Sequence, residues 1–517
     1  MNLKKRTVLT LTVMVTTALA LSACSGGGNR SNGAGSGAQQ APGKPAETKP
    51  LDVSILSIYY QKEPPSKDNA VLKEVEKRTN TNLNITWVAP NNFSEKVNVT
   101  LASGDLPDLM LVTDIANASF RTMAKQGAFW DLTEMIKSYP NLMKFPDITF
   151  SNTKIEGKLY GIPRVRPTEG NAQPLIRADW LTKLNLKMPE TTEDLYKVMK
   201  AFKESAPDGQ KDTIGLSGYV NQNDMGQFGF IENSFIGNSG KYKVIDGKIT
   251  DMTFSSEMKQ SLEWFRRAYK EGLIPQDFAL LKHNQAKDLV FAGKAGIFPD
   301  KPNQEPAMVQ GVASAVPSSK PDFAWMPYLI GPSGTKYAAK GNGHFGMFVI
   351  SKKVPEDKVK KLLAFLDYGA SDEGSDLANY GMKDVHFTLQ GDNRVLTDAA
   401  KNDPSFQFMQ NIFMKFDKYA NVALGMTPEL TKRDMAYIDA AEKVSIPSPL
   451  DGVTSPTAQK LGSDYDKKIQ DMKTKVIMEK VTLGDWDQFV AALKADANYM
   501  KIQEEYNAEY QKKASSK

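Results

Sequence analysis

The sequence has 517 residues, of which 41% are hydrophobic and 9% aromatic, a composition typical of a globular protein. Lys and Arg (65 residues) nearly balance Asp and Glu (60 residues), so the overall charge gives no support for a surface that binds nucleic acid or another polyanion. At about 100–200 residues per domain, the folded part has room for two or three domains, each with its own core.

The amino terminus has the layout of a bacterial secretion signal. Three basic residues, Lys4, Lys5 and Arg6, precede an uncharged apolar run at residues 7–21. This run is shorter than the roughly 20 residues that a membrane-spanning helix needs, which favours cleavage over permanent insertion. We therefore predict a signal peptide at residues 1–23. Its removal leaves a net charge of about +2, because the segment carries three basic residues and no acidic one.

The only cysteine of the sequence, Cys24, directly follows this segment. One thiol cannot form an internal disulfide, and exported chains usually pair their cysteines or avoid them. The stretch Leu21–Cys24 resembles a bacterial lipobox, so we predict that Cys24 is a lipidation site that carries palmitate. Stable anchoring takes two or more acyl chains, because one chain binds a membrane only marginally. The alternative is an ordinary secretion signal with a chance cysteine.

Residues 25–50 consist mainly of Gly, Ser, Asn, Gln, Ala and Pro. Such a segment cannot bury enough apolar surface to offset its ordering entropy. We predict a flexible linker at residues 24–50, with an r.m.s. reach of about 30 Å from the membrane.

The folded part begins with a repeated strand and helix pattern. Strands are predicted at residues 52–58, 85–88 and 109–112, with helices between them at residues 68–78 and around Val97 and Leu101. This βαβαβ order predicts an α/β layer with a parallel sheet. Further on, apolar residues spaced at i, i+3, i+4 and i+7 predict core-facing helices around residues 195–202, 359–366 and 486–493.

A search for catalytic and metal-binding motifs finds none. The sequence has no P-loop, no G-x-S-x-G motif, no dinucleotide-binding glycine motif and no cysteine nucleophile after Cys24. Acidic pairs such as Asp105 and Asp108 stand at turns and helix starts. The three histidines of the sequence are His283, His344 and His386. They are far apart from one another, which excludes a zinc-binding spacing. We predict no catalytic residue, no metal ligand and no cofactor, although a glycosidase with two acids distant in sequence stays an open alternative.

Six short motifs occur in a fixed order along the chain. They lie at residues 101–108 (LASGDLPD), 127–133 (GAFWDLT), 157–163 (GKLYGIP), 176–181 (IRADWL), 269–275 (YKEGLIP) and 292–296 (AGKAG). Together with the lipobox, they resemble the first, sugar-binding family of extracellular solute-binding proteins. Within that family, they are similar to the oligosaccharide-binding lipoproteins of ABC importers in Gram-positive bacteria.

The resemblance implies an α/β fold of two lobes joined by a hinge, with a ligand cleft between them and a helical carboxy-terminal region. It implies a first lobe of residues 51–163 and 338–400, and a second lobe of residues 164–337 and 401–517. Arg164–Pro167 and Gly341–Phe345 would lie near the crossings between the lobes.

The resemblance also implies a binding function without enzymatic activity. The protein would be a monomer tethered through acylated Cys24 to the extracellular face of the cell membrane. There it would capture an oligosaccharide, of a kind that can include uronate, and deliver it to the permease subunits of an ABC transporter. Two alternatives stay open: a surface enzyme that degrades polysaccharide, and a binding receptor that serves a sensor kinase.

Candidate ligand-binding residues follow from the rule that ligands of open α/β sheets sit beyond the carboxyl ends of strands. A sugar needs aromatic faces for its C–H surface and planar polar groups for its hydroxyls. Arg164 and Arg166 could bind a uronate carboxylate through paired hydrogen bonds. The other predicted ligand-binding residues are Tyr59, Tyr60, Thr113, Asp114, Asn223, Phe228, Asn342, His344 and Phe345.

One segment departs from relatives that this sequence resembles. Alginate-oligosaccharide binders carry a calcium loop rich in Asp, Asn and Gly before an Asp-Thr-Ile-Gly stretch. Here Ala206–Gly215 keeps the end of that pattern but offers few acidic oxygens, whereas calcium takes six to eight oxygen ligands. We therefore predict no calcium site, although backbone carbonyls leave one possible.

Overall fold

The computed structural model describes residues 49–60, 63–170, 173–391, 393–402, 404–422 and 427–515. The predicted signal peptide, Cys24 and almost all of the predicted linker lie outside these ranges. The first elements, in chain order, are β1 (Leu51–Ile58), α1 (Ala70–Thr79), β2 (Thr81–Val88), α2 (Pro90–Ser103), β3 (Leu109–Val112), α3 (Ala118–Lys125), α4 (Asp147–Thr153), β4 (Gly161–Val165), β5 (Gln173–Arg177), α5 (Ala178–Lys183), α6 (Thr192–Ser205), β6 (Ile214–Leu216), α7 (Gly229–Ile236), β7 (Tyr242–Ile245), β8 (Lys248–Asp251), α8 (Ser256–Lys270), α9 (His283–Phe291) and β9 (Ala295–Asp300).

The remaining elements are α10 (Glu305–Ala315), β10 (Phe323–Trp325), β11 (Ala338–Lys340), β12 (His344–Val349), α11 (Glu356–Gly369), α12 (Asp372–Tyr380), β13 (Phe387–Gln390), β14 (Asn393–Leu396), α13 (Asp398–Asn402), α14 (Pro428–Val444), β15 (Ser445–Pro447), α15 (Pro456–Ile477), α16 (Leu483–Ala495) and α17 (Ala497–Ser515). Short 3-10 turns lie at Met135–Ser138, Leu142–Lys144, Gly226–Phe228, Met252–Phe254, Pro302–Gln304 and Pro404–Asn411. Within the described ranges, no helix has both the length and the apolar character needed to cross a membrane.

The first lobe is built on a five-stranded sheet in the order β2-β1-β3-β12-β4. The predicted βαβαβ unit is confirmed, and its three strands pair in parallel. The prediction of a parallel sheet holds only for this half. Strand β12 runs antiparallel to β3, and β4 runs antiparallel to β12. The sheet is therefore mixed, and its last two strands come from distant parts of the sequence.

The second lobe is built on a four-stranded sheet in the order β10-β5-β9-β6. Strand β9 pairs antiparallel with β5 and parallel with β6. The apolar residues of this lobe form cores separate from the core of the first lobe. Two sheets with separate cores give the two-lobe α/β fold that the motifs imply.

Local sequence signals set the helix boundaries in the second lobe. Thr191 and Asp194 form a reciprocal capping box at the start of α6, as their spacing predicts. The side chain of Ser255 caps α8 by accepting a hydrogen bond from the backbone N–H of Met258. Gly272 follows the end of α8 with a positive φ of 63°, a conformation that favours glycine.

The carboxy-terminal boundary of the first lobe lies later than predicted. Phe406, Phe408 and Phe413 are buried in the core of the first lobe, although we assign residues after 400 to the second lobe from the sequence. The ring of Phe413 lies 5.0 Å from that of Phe365 on α11. An aromatic-rich segment is buried where apolar surface is available, and here α11 provides it. Strand β4 likewise extends the first lobe beyond residue 163.

The segments that cross between the lobes are tied to one another. The backbone N–H of Gly341 donates to the carbonyl of Thr168 at 2.6 Å. The buried carboxylate of Glu169 lies 3.4 Å from Lys340 Nζ and accepts a hydrogen bond from Ser445 Oγ at 2.9 Å. Strands β11 and β15 also pair in parallel at this point. One buried carboxylate therefore joins the first crossing, the second crossing and the strand that follows α14.

Candidate functional site

One edge of the first sheet collects most of the predicted ligand-binding residues. Strands β1, β2 and β3 are parallel, so their carboxyl ends share an edge, and the antiparallel β12 begins at that edge with His344. Strand β4 ends there too, because Val165 pairs with His344. Tyr59 and Tyr60, Thr113 and Asp114, Arg166, and Asn342 to Phe345 all follow or begin strands at this edge.

A glycine lets β12 approach β3 closely at this edge. Gly346 has a φ of 79°, and a Cβ at this position would lie only 2.1 Å from the carbonyl oxygen of Val112 and 2.6 Å from Cα of Thr113. No other residue type fits here without moving the backbone. The close approach places Thr113 beside the residues that open β12.

Arg164, on β4, is almost fully buried at 1% exposure, and it has no carboxylate partner among the described residues. Its Nη2 donates to Asn411 Oδ1 at 2.8 Å, and its Nε donates to the Asn411 carbonyl at 3.1 Å. Its Nη1 is buried without a hydrogen-bond partner. Burial, followed by the charge of Arg166, lowers the pKa of Arg164 to about 9. The side chain therefore stays cationic at neutral pH with one donor unsatisfied.

Phe345 lies beside Arg164, on β4, and Arg166, which directly follows β4. Its ring centroid is 5.1 Å from Cζ of Arg164 and 5.9 Å from Cζ of Arg166, both within the range of cation–π attraction. The ring is 37% exposed, and Tyr60 beside the arginines is 54% exposed. The phenol of Tyr60 is near enough to both arginines to raise their pKa values slightly against the effect of burial. Two accessible aromatic faces thus flank two cations.

The facing edge belongs to the second sheet. Strand β5 begins at Gln173, which pairs with Asp300 at the carboxyl end of β9, and Lys301 follows Asp300. The charges of Arg166 and Arg164 both act on Lys301, so the two edges lie near each other. Lys301 is exposed, yet burial lowers its pKa, followed by the charge of Arg166.

An aromatic stack stands beside Lys301 at the same edge of the second sheet. The rings of Tyr328 and Tyr437 are 5.5 Å apart and nearly parallel, and Trp325 lies 5.3 Å from Tyr437. The hydroxyl of Tyr437 donates to Oε1 of Gln173 at 3.2 Å. The buried hydroxyl of Tyr328 has no partner among the described residues.

His344 is neutral in this environment. Burial lowers its pKa to about 4. Its Nδ1 accepts a hydrogen bond from the backbone N–H of Gly346 at 3.1 Å, and its own backbone N–H donates to Asn342 Oδ1 at 3.1 Å. Both residues therefore shape the start of β12, and the positive charge of the cleft comes from the two arginines and Lys301.

Two of the predicted residues lie elsewhere. Phe228 has no exposed surface and packs 5.8 Å from Phe278 in the core of the second lobe, so we leave it out of the candidate site. Asn223 donates to Ser463 on α15 at 3.1 Å and lines a separate cavity of about 330 Å³. The strand that ends before them, β6, has its carboxyl end at residue 216, several residues before either position.

Sequence reasoning missed Lys301 and the aromatic stack. Lys301 directly follows a run of apolar residues, Ala295–Asp300, that forms β9. The rule applied to the first lobe, which takes the residues after each strand, would have selected it. Tyr437 lies on α14, far from any strand end, and no sequence signal places it beside Trp325.

The sequence profile of a family described as "Bacterial extracellular solute-binding protein" matches residues 61–375, more than half of the chain. The chain belongs to this family. The polygalacturonan/rhamnogalacturonan-binding protein YtcQ of Bacillus subtilis (strain 168) is 31% identical to it over 479 residues, which cover 91% of this chain and 93% of YtcQ. The lipoprotein LipO of the same organism is 30% identical over 448 residues, covering 85% of this chain and 88% of LipO.

A solved structure supports the fold of this solute-binding protein. The alginate-binding protein AlgQ2, determined without calcium ion, superposes with a TM-score of 0.68 at 21% identity, covering 90% of this chain and 98% of that chain. The curated relatives include a fructooligosaccharide ABC transporter substrate-binding protein from Streptococcus pneumoniae serotype 4, 28% identical over 57% of this chain and 56% of its own length. This solute-binding protein thus has the two-lobe α/β fold of its family.

Proposed function

We propose that this solute-binding protein captures an acidic, uronate-containing oligosaccharide in the cleft between the two sheet edges. YtcQ, which is 31% identical over most of both chains, is named for binding polygalacturonan and rhamnogalacturonan. Polygalacturonan is a chain of sugar acids, and each unit carries a carboxylate. The cleft of this chain has the charge that such a ligand requires.

The observation that carries the proposal is the set of cations Arg164, Arg166 and Lys301. None of them forms an ion pair with a carboxylate among the residues that the structure describes. Arg164 is buried and Arg166 is half-buried, and burying a charge costs several kcal/mol unless it is paired. A bound anion supplies the missing partner. A carboxylate is the ligand group that a guanidinium binds with two hydrogen bonds.

The remaining groups suit a sugar ring. Phe345 and Tyr60 offer accessible aromatic faces next to Arg164 and Arg166, where a ring could stack while its carboxylate reaches Arg166. The hydroxyl of Thr113 can donate to and accept from sugar hydroxyl groups, and the carboxylate of Asp114 can accept from them. On the facing edge, the aromatic stack of Tyr328 and Tyr437 lies beside the second lobe's cation. Closure of the lobes would enclose the ligand between the two sets.

Titration calorimetry on the compact unit Pro50–Lys517 tests the proposal. We expect trigalacturonate to bind more tightly than the carboxyl-reduced galactotriose of the same linkage. Arg166→Met should weaken trigalacturonate by about 1.5–3 kcal/mol, roughly ten- to a hundredfold, which is the usual size of a charge-assisted hydrogen bond. Arg267→Met, which removes a half-exposed arginine that pairs with Glu193 on the helices of the second lobe, is the control and should leave binding unchanged. Equal affinities of the wild type for both sugars would reject an acidic ligand.

We further propose that the protein binds its sugar without chemical change. Of the acidic groups near the cleft, Asp114 accepts the backbone N–H of Ala116 at 3.1 Å. The other two are engaged in ion pairs: Asp300 lies 3.1 Å from Lys287 Nζ, and Glu169 lies 3.4 Å from Lys340 Nζ. Neither is placed as a free acid or base. Chromatography of trigalacturonate after long incubation with the protein should recover intact sugar, and shorter products would show an enzyme instead.

The place of the protein in the cell is the third part of the proposal. We propose that the lipobox cysteine Cys24 is acylated, that the monomeric protein stands on the extracellular face of the membrane, and that it docks on the permease subunits of an ABC transporter. Support comes from the sequence of the amino terminus and from LipO, a lipoprotein that is 30% identical. Cys24→Ser should move the protein from the membrane fraction to the culture medium. Retention of the variant in the membrane fraction would contradict lipid anchoring.

A further inference from the structure

We propose that Lys301 is a specificity-determining residue that makes closure of the two lobes depend on the charge of the ligand. The inference rests on the proposed binding of an acidic oligosaccharide and assigns a role to a second-lobe residue. Arg164 and Arg166 belong to the first-lobe edge, and Lys301 belongs to the facing edge. The two halves of the cleft therefore present charges of the same sign.

The position of Lys301 follows from the strand register. Asp300 is the last residue of β9 and pairs with Gln173, the first residue of β5, so Lys301 lies where the chain enters the second lobe. Val165, the last residue of β4, pairs with His344 at the matching edge of the first lobe. Both edges adjoin the same crossing segment, which brings Lys301 opposite the arginines.

The neighbouring carboxylate of Asp300 raises the pKa of Lys301, against the effect of the arginines, but forms no ion pair with its ammonium group. Oδ2 of Asp300 lies 3.1 Å from Lys287 Nζ and 3.6 Å from His283 Nε2. Its Oδ1 accepts the backbone N–H of Lys301 at 2.8 Å, which leaves the ammonium group of Lys301 without an ion pair among the described residues. Asp300 is 7% exposed, so it has little freedom to turn toward another partner.

The arginines and Lys301 act on one another electrostatically. After burial, the charge of Arg166 is the largest influence that lowers the pKa of Lys301, and Arg164 adds to it. Like charges that approach in a medium of reduced dielectric repel more strongly than in water. Closing the lobes around a neutral sugar would bring these cations closer with nothing between them. A carboxylate between them reverses the sign of the interaction, so closure becomes favourable.

This arrangement separates binding from closure. A neutral oligosaccharide of the right shape can still stack on the aromatic faces of one lobe, but it gains little from closing. An acidic oligosaccharide bridges both lobes through its carboxylate. An importer that accepts the closed form would then receive acidic sugars and leave neutral ones.

Calorimetry and small-angle scattering on the compact unit Pro50–Lys517 test the inference. The probes are trigalacturonate and galactotriose of the same linkage. For the wild type, we expect only trigalacturonate to reduce the radius of gyration. Lys301→Met should lower the ratio of the two affinities at least tenfold and should let galactotriose reduce the radius of gyration. Lys301→Arg should restore the wild-type behaviour.

Lys320→Met is the matched control, because Lys320 is an exposed lysine of the same lobe at the opposite edge of the sheet. It should behave like the wild type. If Lys301→Met and a second variant, Lys301→Gln, both keep the wild-type affinity ratio and scattering change, the role of Lys301 is overturned while the proposed acidic ligand stands. If the wild type itself shows no preference for trigalacturonate, the proposed function fails, and the inference fails with it.

Discussion

Arg164 holds a positive charge in a position where water reaches almost none of it. Moving an ion into a protein interior costs several kcal/mol even after relaxation. The two hydrogen bonds to Asn411 and the ring of Phe345 offset part of that cost, the ring by about 0.5–2 kcal/mol. Its Nη1 has no hydrogen-bond partner among the described residues, so an anion that reached this atom would gain a charged donor.

The two exposed aromatic residues of the cleft should matter for binding and little for stability. Tyr60 is 54% exposed and Phe345 is 37% exposed, so truncation removes little buried surface. We expect Tyr60→Ala and Phe345→Ala each to weaken binding of galactotriose by about 1–3 kcal/mol, the contribution of one large apolar contact. The melting temperature should stay nearly constant in Tyr60→Ala and fall modestly in Phe345→Ala, which also loses the cation–π contact with Arg164. Leu280→Ala, at an 82% exposed site in the second lobe, is the control. Unchanged affinity in both cleft variants would show that the sugar does not bind against these two rings.

His344 predicts a pH dependence of stability. Burial lowers its pKa from the usual 6.5 to about 4, so the folded state prefers the neutral ring. The unfolded chain takes up the proton at higher pH than the folded protein does. The stability that this residue contributes is thus fully present above about pH 6.5 and is lost as pH falls toward 4. Chemical denaturation between pH 7 and 4.5 should show a smaller loss for His344→Gln than for the wild type. Parallel curves for the two proteins would contradict a buried neutral histidine.

The sequence predicts part of this site for a definable reason. Tyr60, Thr113 and Phe345 adjoin short apolar runs that can be recognised as strands, and a common edge follows from the strand order. The sequence analysis does not predict Lys301 because it does not recognise the strand before it, Ala295–Asp300. The near balance of charges over the whole chain also gives no indication that three cations lie close together. Phe228 looks like a candidate next to polar neighbours, but its ring packs inward in the core.

At the scale of elements, periodicity predicts helices and strands well, but it does not predict how strands pair. The helix predicted around residues 195–202 lies within α6, Thr192–Ser205, and β3 matches residues 109–112. The mixed character of the first sheet depends on β4 and β12, which come from residues 161–165 and 344–349. Their pairing is set by the two crossings between lobes, a long-range feature that no local pattern contains.

A buried contact between Arg177 and two carboxylates of the second lobe bears on metal binding. Arg177, at the end of β5, is fully buried and donates to both carboxylates of Asp179 and Asp208 at 2.6–3.2 Å. Asp208 also accepts the indole N–H of Trp180 at 3.1 Å and the hydroxyl of Ser319 at 3.2 Å. Asp208 belongs to Ala206–Gly215, the segment that resembles the end of a calcium loop. The positive charge that neutralises Asp208 is therefore the guanidinium of Arg177.

Calcium should accordingly have no effect on the stability of this protein. We expect the melting temperature to be the same in millimolar calcium and in EDTA. Arg177→Met should destabilise the fold by about 3–5 kcal/mol, because it leaves two carboxylates without their partner. Lys211→Met, at an exposed position in the same segment, should change stability little. A calcium-dependent rise in the melting temperature of the wild type would show that backbone carbonyls complete a metal site after all.

At the scale of the molecule, the two lobes share a crossing region in which one acidic side chain touches several segments. Glu169 is 4% exposed, lies 3.4 Å from Lys340 Nζ and accepts from Ser445 Oγ at 2.9 Å. The hydroxyl of Thr168 also donates to it. Because hinge closure must pass through these segments, the contacts of Glu169 set how the lobes can move relative to each other.

Glu169→Gln should therefore loosen the crossings while leaving both sheets intact. The amide keeps the shape and can accept from Ser445, but it loses the ion pair with Lys340, and we expect a loss of about 1–3 kcal/mol in unfolding free energy, the usual size of a buried charge-assisted contact. Hydrogen exchange should rise in residues 166–170 and 338–341 and stay low in β1 and β9. Glu356→Gln, which breaks an exposed pair with Lys360 on α11, should change the unfolding free energy far less, because solvent screens the pair. Equal effects of the two substitutions would mean that Glu169 does not tie the crossings together. A local rise in exchange at the crossings would instead show that the lobes are held by this carboxylate at the point where ligand binding must move them.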